Sequence, residues 1–121
     1  MRILIVEPGK APRQGEIRRK LSSMQKVVGG TIQVIYPFED PVALVCNDEG
    51  KLMGLPANRA LRDRAGKLYD IVCGTFFLCG APPDSENFIS LTEEQLERYQ
   101  QRFLHPELFL NLGGEILCLP L

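Results

Sequence analysis

The pattern of apolar and polar residues predicts a strand and then a helix at the start of the chain. Met1–Val6 is an apolar run that ends at Glu7-Pro8-Gly9, which is typical of a buried strand stopped by a turn. From about Gln14 to Val28, apolar residues recur at helical spacing. Gly29-Gly30 follows them and supplies the left-handed backbone that helix ends favour. We therefore predict a first strand and a helix over 14–28.

The middle of the chain is rich in strand-like runs. β-Branched residues, alternation and apolar runs bounded by turn residues are the features that predict strands. A turn at 47–50 is predicted from its Asn, Asp and Gly, and Gly74 predicts a bulge within the longest run. The predicted strands are Thr31–Tyr36, Pro41–Cys46, a short antiparallel partner at Lys51–Met53, and a central strand over Leu68–Cys79.

A second helix is predicted after residue 90. Either Ser90 with Glu93 or Thr92 with Gln95 fits a capping box, in which two side chains satisfy free amides at the helix start. Leu96, Tyr99 and Phe103 are predicted to form its buried face. The remaining apolar stretch, Leu108–Leu121, is predicted to be a last strand or a frayed tail.

The order of these elements indicates an α+β fold. Strands clustered between two helices favour a mainly antiparallel sheet of about five strands with two packed helices. The chain has 121 residues, which is a common size for one domain. We predict a single domain over residues 1–109, followed at 110–121 by a C-terminal tail or an extra edge strand.

Composition excludes several classes of protein. Apolar residues make up 45% and charged residues 24%, which argues against disorder, and the net charge is −1, which gives no sign of general nucleic-acid affinity. Tyr36, Phe76 and Phe77 fall in predicted core strands, so we do not expect direct nucleic-acid binding. No apolar run is long enough for a membrane span, and the start of the chain is too short and too soon charged for a signal peptide. We expect a cytoplasmic protein without membrane contact.

The four cysteines do not predict a metal site or a disulfide. They are Cys46, Cys73, Cys79 and Cys118, and no two have the spacing of a zinc-binding pair. The first three lie in apolar runs and are interpreted as buried thiols. Cys118 lies near the C-terminus and is expected to be the most reactive. We expect no metal and no cofactor.

Candidate catalytic groups are scattered. The carboxylates that could support acid–base chemistry do not have a spacing that brings them together, and Glu7 and Asp70 are interpreted as structural partners of Arg59 or Arg62. His105 follows the second helix, where a cationic histidine is favourable. Lys10 follows a first strand, but Ala11-Pro12 comes next and does not fit a phosphate loop. We therefore assign no catalytic residue; the carboxylates considered are Glu7, Asp40, Asp48, Glu49, Asp63 and Asp70.

A basic and irregular segment, residues 51–67, is the best candidate for a functional surface. Loops carry binding residues more often than regular elements do. A helical turn near Ala57–Leu61 would put Arg59 and Arg62 on one face, where both could bind a phosphate or a carboxylate. The alternative is a solvated loop whose arginines pair with Asp63. The candidate residues for binding a ligand or partner are Lys10, Lys51, Asn58, Arg59 and Arg62.

Several short segments of the sequence resemble those of a known family. They are Val6–Lys10, Val28–Gly30, Tyr36–Asp40, Asn47–Lys51, Leu55–Leu61 and Tyr69–Phe77. Together they resemble small proteins of unknown function from Firmicutes, their phages and their conjugative elements, over Met1 to about Phe109. The resemblance implies a bacterial, gut-associated protein of a mobile element. It implies no established activity and no catalytic residues.

Two functional hypotheses remain open at this point. The first is a non-enzymatic accessory protein that binds a protein partner or a small anionic ligand; a role against host defence or in regulation follows only by association with mobile elements. The second is a small enzyme acting on a nucleotide or phosphoester. That enzyme would need Glu7, Asp40 or Asp70 next to Arg59 in one pocket.

Overall fold

Nine strands and two helices make up the protein in the computed structural model, which describes all of residues 1–121. In chain order they are β1 Arg2–Val6, β2 Arg13–Glu16, α1 Leu21–Val28, β3 Ile32–Ile35, β4 Val42–Asn47, β5 Ala57–Arg62, β6 Leu68–Cys73, β7 Phe76–Gly80, α2 Glu93–Arg102, β8 Glu107–Leu112 and β9 Glu115–Pro120.

The main sheet has five strands in the order β2-β1-β7-β4-β3, and each neighbouring pair is antiparallel. Two hairpins, β5–β6 and β8–β9, form separate two-stranded sheets. The predicted α+β class, with an antiparallel sheet of five strands and two helices, is confirmed. Neither helix has the length and apolar character that crossing a bilayer requires.

Both faces of the main sheet are covered by other parts of the protein. Successive side chains of a strand point to opposite faces, so each strand contributes to both cores. On β4, Leu44 belongs to the core that includes α2 and the β5–β6 hairpin, whereas Val45 belongs to the core that includes α1. All six residues of β4 are buried. The sheet therefore separates two apolar layers, and α2 lies on the same side as the β5–β6 hairpin.

The first predicted helix is too long. Its first part is strand β2, in which Arg13 lies opposite Ile5 and Gly15 lies opposite Ile3. A Cβ at Gly15 would lie 2.6 Å from Cδ1 of Ile5, so glycine permits this close approach. The helix itself begins at Leu21. Its predicted end is confirmed, because Gly29 has a φ of 79° and its N–H donates to the carbonyl of Gln25.

The predicted short strand at Lys51–Met53 is wrong, because this segment closes tight turns instead of pairing. The N–H of Met53 donates to the carbonyl of Glu49 at 2.8 Å, and the N–H of Leu55 donates to that of Gly50 at 3.0 Å. These turns leave Leu52 almost fully exposed. The antiparallel partners of β4 are β3 and β7 instead.

The predictions for residues 57–79 also need correction. Residues 57–61 lie in strand β5, not in a helical turn, and β5 pairs with β6. The predicted central strand is two strands, because β6 and β7 belong to different sheets. They meet at Gly74, whose φ of +85° is accessible mainly to glycine. Arg59 and Arg62 therefore do not share a helical face.

Helix α2 starts as one of the two predicted capping boxes. Thr92 Oγ1 accepts from the N–H of Gln95 at 3.1 Å, and Gln95 Oε1 accepts from the N–H of Thr92 at 3.0 Å. The predicted buried face is confirmed, since Leu96, Tyr99 and Phe103 are all less than 5% exposed.

The C-terminal residues form a hairpin rather than a frayed tail. β8 and β9 are joined by Gly113-Gly114, which both have positive φ, as two-residue hairpin turns require. Glu107, at the start of β8, contacts β5, so the hairpin lies against the β5–β6 hairpin. The division of the chain at residue 109 stays a prediction.

Candidate ligand-binding cleft

Two of the predicted binding residues are buried polar groups. Asn58 and Arg59, on β5, are each 1% exposed. The Asn58 amide donates to the carbonyls of Val6 and Gly74, both at 2.9 Å, and so fastens β5 to the ends of β1 and β6. These bonds occupy both amide hydrogens of Asn58.

The guanidinium of Arg59 is bound to carbonyl oxygens and to no carboxylate. Nη2 donates to Lys10 O at 2.6 Å, and Nε and Nη2 both donate to Phe103 O. Nη1 donates to the backbone and side-chain oxygens of Asn58 at 3.1 and 2.9 Å. Burial lowers the pKa of Arg59, and the Glu107 carboxylate opposes this shift. We call the pair Asn58 and Arg59 the buried polar pair.

The other three predicted residues lie apart from one another. Lys10 is exposed, 3.9 Å from a carboxylate oxygen of Glu7. Lys51 is exposed and pairs with Asp70 at 2.6 Å. Arg62 is partly exposed and pairs with Glu107 at 3.1 Å. The five residues therefore do not form one surface, and only Arg62 lines the cleft described next.

A cleft of about 730 Å³ opens between the β3–β4 connection, the β5–β6 turn and α2. We call it the arginine cleft. Four arginines line it together with three carboxylates, so its lining has an excess of one positive charge. The arginines are Arg62, Arg64, Arg98 and Arg102, and the carboxylates are Glu39, Asp40 and Asp63.

Aromatic packing holds the β3–β4 connection against α2. The Phe38 ring lies 4.6 Å from that of Tyr99 and 6.2 Å from that of Phe103, centroid to centroid. The Arg102 guanidinium lies 4.9 Å from the centre of the Phe38 ring, which is a cation–π contact. Arg102 and Arg98 are four residues apart on α2 and so share a helical face.

The arginines differ in how far their charge is already compensated. Arg64 pairs with Glu39, Arg98 with Asp40 and Arg62 with Glu107. Arg102 forms no ion pair and is exposed. It is therefore the arginine that an anion can approach without displacing a carboxylate.

Asp40 is the carboxylate that organises the cleft. It accepts hydrogen bonds from the Tyr99 hydroxyl at 2.9 Å and from Arg98. These bonds, the one from Tyr99 first, lower the pKa of Asp40. Burial and the bond to Asp40 raise the pKa of Tyr99 to about 12. Asp40 is thus ionised and Tyr99 is protonated throughout the neutral range.

Two exposed tyrosines flank these charges. Tyr36 is 64% exposed and Tyr69 is 54% exposed, and both line the arginine cleft. The expectation that Tyr36 lies in the core is wrong, because β3 ends at Ile35. Phe76 and Phe77 are fully buried, as expected. The cleft therefore offers aromatic faces beside cationic groups.

The carboxylates required for the enzyme hypothesis do not converge on Arg59. Glu7 pairs with Arg13, Asp70 pairs with Lys51, and Asp40 lies in the arginine cleft. The ion pairs expected for Glu7 and Asp70 do form, but not with Arg59 or Arg62. The Glu7 pKa is lowered, mainly by the hydrogen bond from Arg13.

No group of three or more His, Cys, Asp and Glu side chains has an arrangement that could hold a metal ion. The four cysteines are free thiols. Cys46 and Cys79 are buried as predicted, whereas Cys73 is only half-buried, and so is Cys118. Burial raises the pKa of Cys46 to about 11 and that of Cys79 to about 12.

We expect two fast and two slow thiols when the native protein reacts with a disulfide reagent at pH 8. Cys73 and Cys118 should react first, because they have partial access to solvent. Cys46 and Cys79 should react only on unfolding, because their thiolate fractions at that pH are about 1 in 1,000 and 1 in 10,000 from the pKa values near 11 and 12. Mass spectrometry of the labelled peptides identifies the sites. Early labelling of Cys79 would contradict this burial.

One sequence signal for the cleft lies in α2, outside the predicted functional segment 51–67. Arg98 and Arg102 stand four residues apart, next to the apolar stripe of α2, which places two cations on one edge of a packed helix. No such signal exists for Tyr36, Arg64 and Tyr69, because their approach depends on how the β3–β4 connection and the β5–β6 hairpin lie against α2.

Comparison with known proteins gives a family but no activity. No curated protein and no solved structure matches the chain. One family model matches residues 1–104, which include the main sheet, both helices and the arginine cleft but not the β8–β9 hairpin. The chain therefore belongs to the family described as a domain of unknown function, DUF3846.

Proposed function

We propose that this protein is a non-enzymatic binding protein whose arginine cleft captures a small anionic ligand. The observation that carries the proposal is the meeting of four arginines in one cleft, with Arg102 free of any ion pair. The guanidinium group matches the geometry of phosphate and carboxylate and can donate two parallel hydrogen bonds to either. The cleft volume lies within the range of small-molecule sites.

The exposed tyrosines narrow the class of ligand. Tyr36 and Tyr69 present flat apolar faces beside the guanidinium groups. A planar ring that carries a phosphate would satisfy both features, since aromatic faces stack on rings and arginines bind the phosphate. A 5′-mononucleotide is therefore the probe of choice.

A binding role fits the cleft better than acid–base chemistry. Glu39 and Asp40 are each held by an arginine, and Asp63 accepts from the backbone N–H groups of Ala65 and Lys67. All three carboxylates are thus engaged in structural contacts. A role for a mobile element is also part of the proposal and rests on the sequence resemblance alone; the cytoplasmic location expected from the sequence stays a proposal.

Replacing Arg102 with glutamine is expected to weaken binding of the mononucleotide about tenfold, because one charged hydrogen-bond donor is lost. Isothermal titration calorimetry at low salt measures this change. The matched control is Arg19→Gln, which removes the same charge from an exposed position before α1. The control should change the affinity less than twofold.

Titrations with two other ligands distinguish a small phosphate compound from an acidic protein partner. Inorganic phosphate should compete weakly for the same site. A glutamate-rich peptide that binds more tightly than the mononucleotide would assign the cleft to a protein partner instead. If neither probe binds, or if both variants lose affinity equally, the cleft is not the binding site.

A further inference from the structure

The C-terminal hairpin has one face made of leucines. In β8–β9, Leu108 lies opposite Leu119 and Leu110 lies opposite Leu117. Because directly opposed residues of an antiparallel pair point to the same side, these four side chains share one face with Leu112 and, beside the turn, with Glu115, which lies opposite Leu112. We call Leu108, Leu110, Leu112, Leu117 and Leu119 the leucine face.

The opposite face of the hairpin is the one that packs on the protein. Phe109 and Ile116 line an apolar cleft together with residues of β5 and β6. Glu107 accepts a hydrogen bond from the N–H of Ala60 at 2.9 Å and pairs with Arg62. The leucine face is therefore turned away from the rest of the chain.

The leucine face is larger than scattered surface residues explain. Each of its five leucines is between 37% and 59% exposed. Together they present on the order of 400 Å² of contiguous surface, which is the size of the largest apolar patch of a protein and is often functional, unlike apolar residues scattered singly. Isolated hairpins are marginally stable in water, so covering this face would also stabilise the hairpin.

The chemistry of the hairpin favours a second copy of the chain as the covering partner. Residues 107–121 contain two glutamates and no lysine or arginine, so nothing there attracts an anionic membrane surface. A face that carries leucines on both strands is complementary to itself, as a twofold interface requires. Two leucine faces would bury about 800 Å² of leucine surface in total, roughly half of a standard interface before its rim is counted.

We propose that the leucine face is a homodimer interface in which two C-terminal hairpins stack face to face. The proposed interface lies outside residues 1–104, so dimerisation would be a property of the C-terminal hairpin and not of the family domain. The hairpin adjoins the arginine cleft through the pair of Glu107 and Arg62, and a dimer would therefore carry two clefts.

Sedimentation equilibrium tests this proposal on the full chain from about 1 to 200 µM, a range that brackets a micromolar dissociation constant. The wild type should change from monomer to twice the monomer mass. The double variant Leu110→Thr with Leu117→Thr keeps strand propensity and should weaken dimerisation about 100-fold. Leu52→Thr, at an 89% exposed leucine in a turn, is the matched control and should dimerise like the wild type.

Three sedimentation results would overturn the proposal. They are a wild type that stays monomeric throughout, a folded double variant that dimerises as tightly as the wild type, and a Leu52→Thr variant that loses the dimer equally. Flotation of monomeric protein with phosphatidylcholine vesicles would overturn it in favour of a lipid surface. Circular dichroism checks folding; if the double variant is unfolded, Leu112→Thr, at the 59% exposed end of the face, replaces it.

Discussion

Replacing Arg59 with alanine is expected to lower the free energy of unfolding by about 4 kcal/mol. The guanidinium is buried and donates to the carbonyls of Lys10 and Phe103 and to both oxygens of Asn58. Alanine leaves these acceptors without their donors, at about 1–3 kcal/mol for each buried group, and also leaves a cavity. Urea denaturation followed by circular dichroism measures the loss.

Two further variants show whether the loss of stability comes from the buried hydrogen bonds of Arg59 or from the loss of an arginine charge alone. Arg59→Lys keeps the charge but has one nitrogen in place of three, so it should recover only part of the stability. Arg64→Ala, at an exposed arginine in the β5–β6 turn, should cost less than about 0.5 kcal/mol. A change below about 1 kcal/mol for Arg59→Ala would show that its contacts contribute little.

Asn58→Ala is expected to cost about 3 kcal/mol. Its amide is the donor for the carbonyls of Val6 and Gly74, and its oxygen accepts from Arg59. Both carbonyls would be left unpaired in the interior, at about 1–3 kcal/mol each. The same denaturation experiment applies, with Asn87→Ala in the exposed loop before α2 as the control.

The variant Asn58→Asp separates the hydrogen bonds that the Asn58 amide donates from the one that its oxygen accepts. It places a carboxylate next to Arg59 but faces the carbonyls of Val6 and Gly74 with an oxygen in place of the amide donor. We expect a loss of stability similar to that of Asn58→Ala. Wild-type stability for Asn58→Asp would contradict a role for the two donated hydrogen bonds.

The buried polar pair also connects the core to the arginine cleft. Arg59 binds the carbonyl of Phe103, which directly follows Arg102, and the Phe103 ring packs on Phe38 of the β3–β4 connection. Loss of Arg59 should therefore loosen one wall of the cleft as well as the core. We propose that Arg59 supports the cleft through position and not through contact with a ligand.

Local sequence signals predicted the parts of the fold that depend on neighbouring residues. Thr92 and Gln95 define the start of α2 because both partners of the capping box lie within one turn. Gly29 ends α1 because the backbone there must be left-handed. The alternation of residues 31–36 and the apolar run of residues 41–46 also marked β3 and β4 correctly as strands.

Long-range packing decided the elements that the sequence mispredicted. Residues 14–17 have helical spacing, yet Gly15 lies against Ile5 and pairing with β1 prevails over local propensity. Residues 57–61 lie in a charged stretch with a proline before them, which favoured an irregular segment containing a helical turn. Their strand depends on pairing with β6 and on buried partners for Asn58 and Arg59.

The candidate site could be predicted only in part for the same reason. Arg62 was selected for its charge and does line the cleft, whereas Arg59 looks the same in sequence and is buried. What separates them is their place in β5, since residues 58–61 are all buried whereas Arg62 is at the end of the strand and only partly buried. The arginines of α2 come from about 40 residues further along the chain, so only the fold brings them to Arg62.

Nuclear magnetic resonance of the arginine Nε–H groups tests the central claim most directly. The wild-type protein, labelled with ¹⁵N, is titrated with a 5′-mononucleotide at low salt and neutral pH. We predict saturable shifts at the arginines of the cleft, largest at Arg102, and none at Arg13 or Arg19. Absence of shifts at Arg62, Arg64, Arg98 and Arg102, or shifts confined to the amides around Lys10 and Lys51, would contradict binding in the arginine cleft.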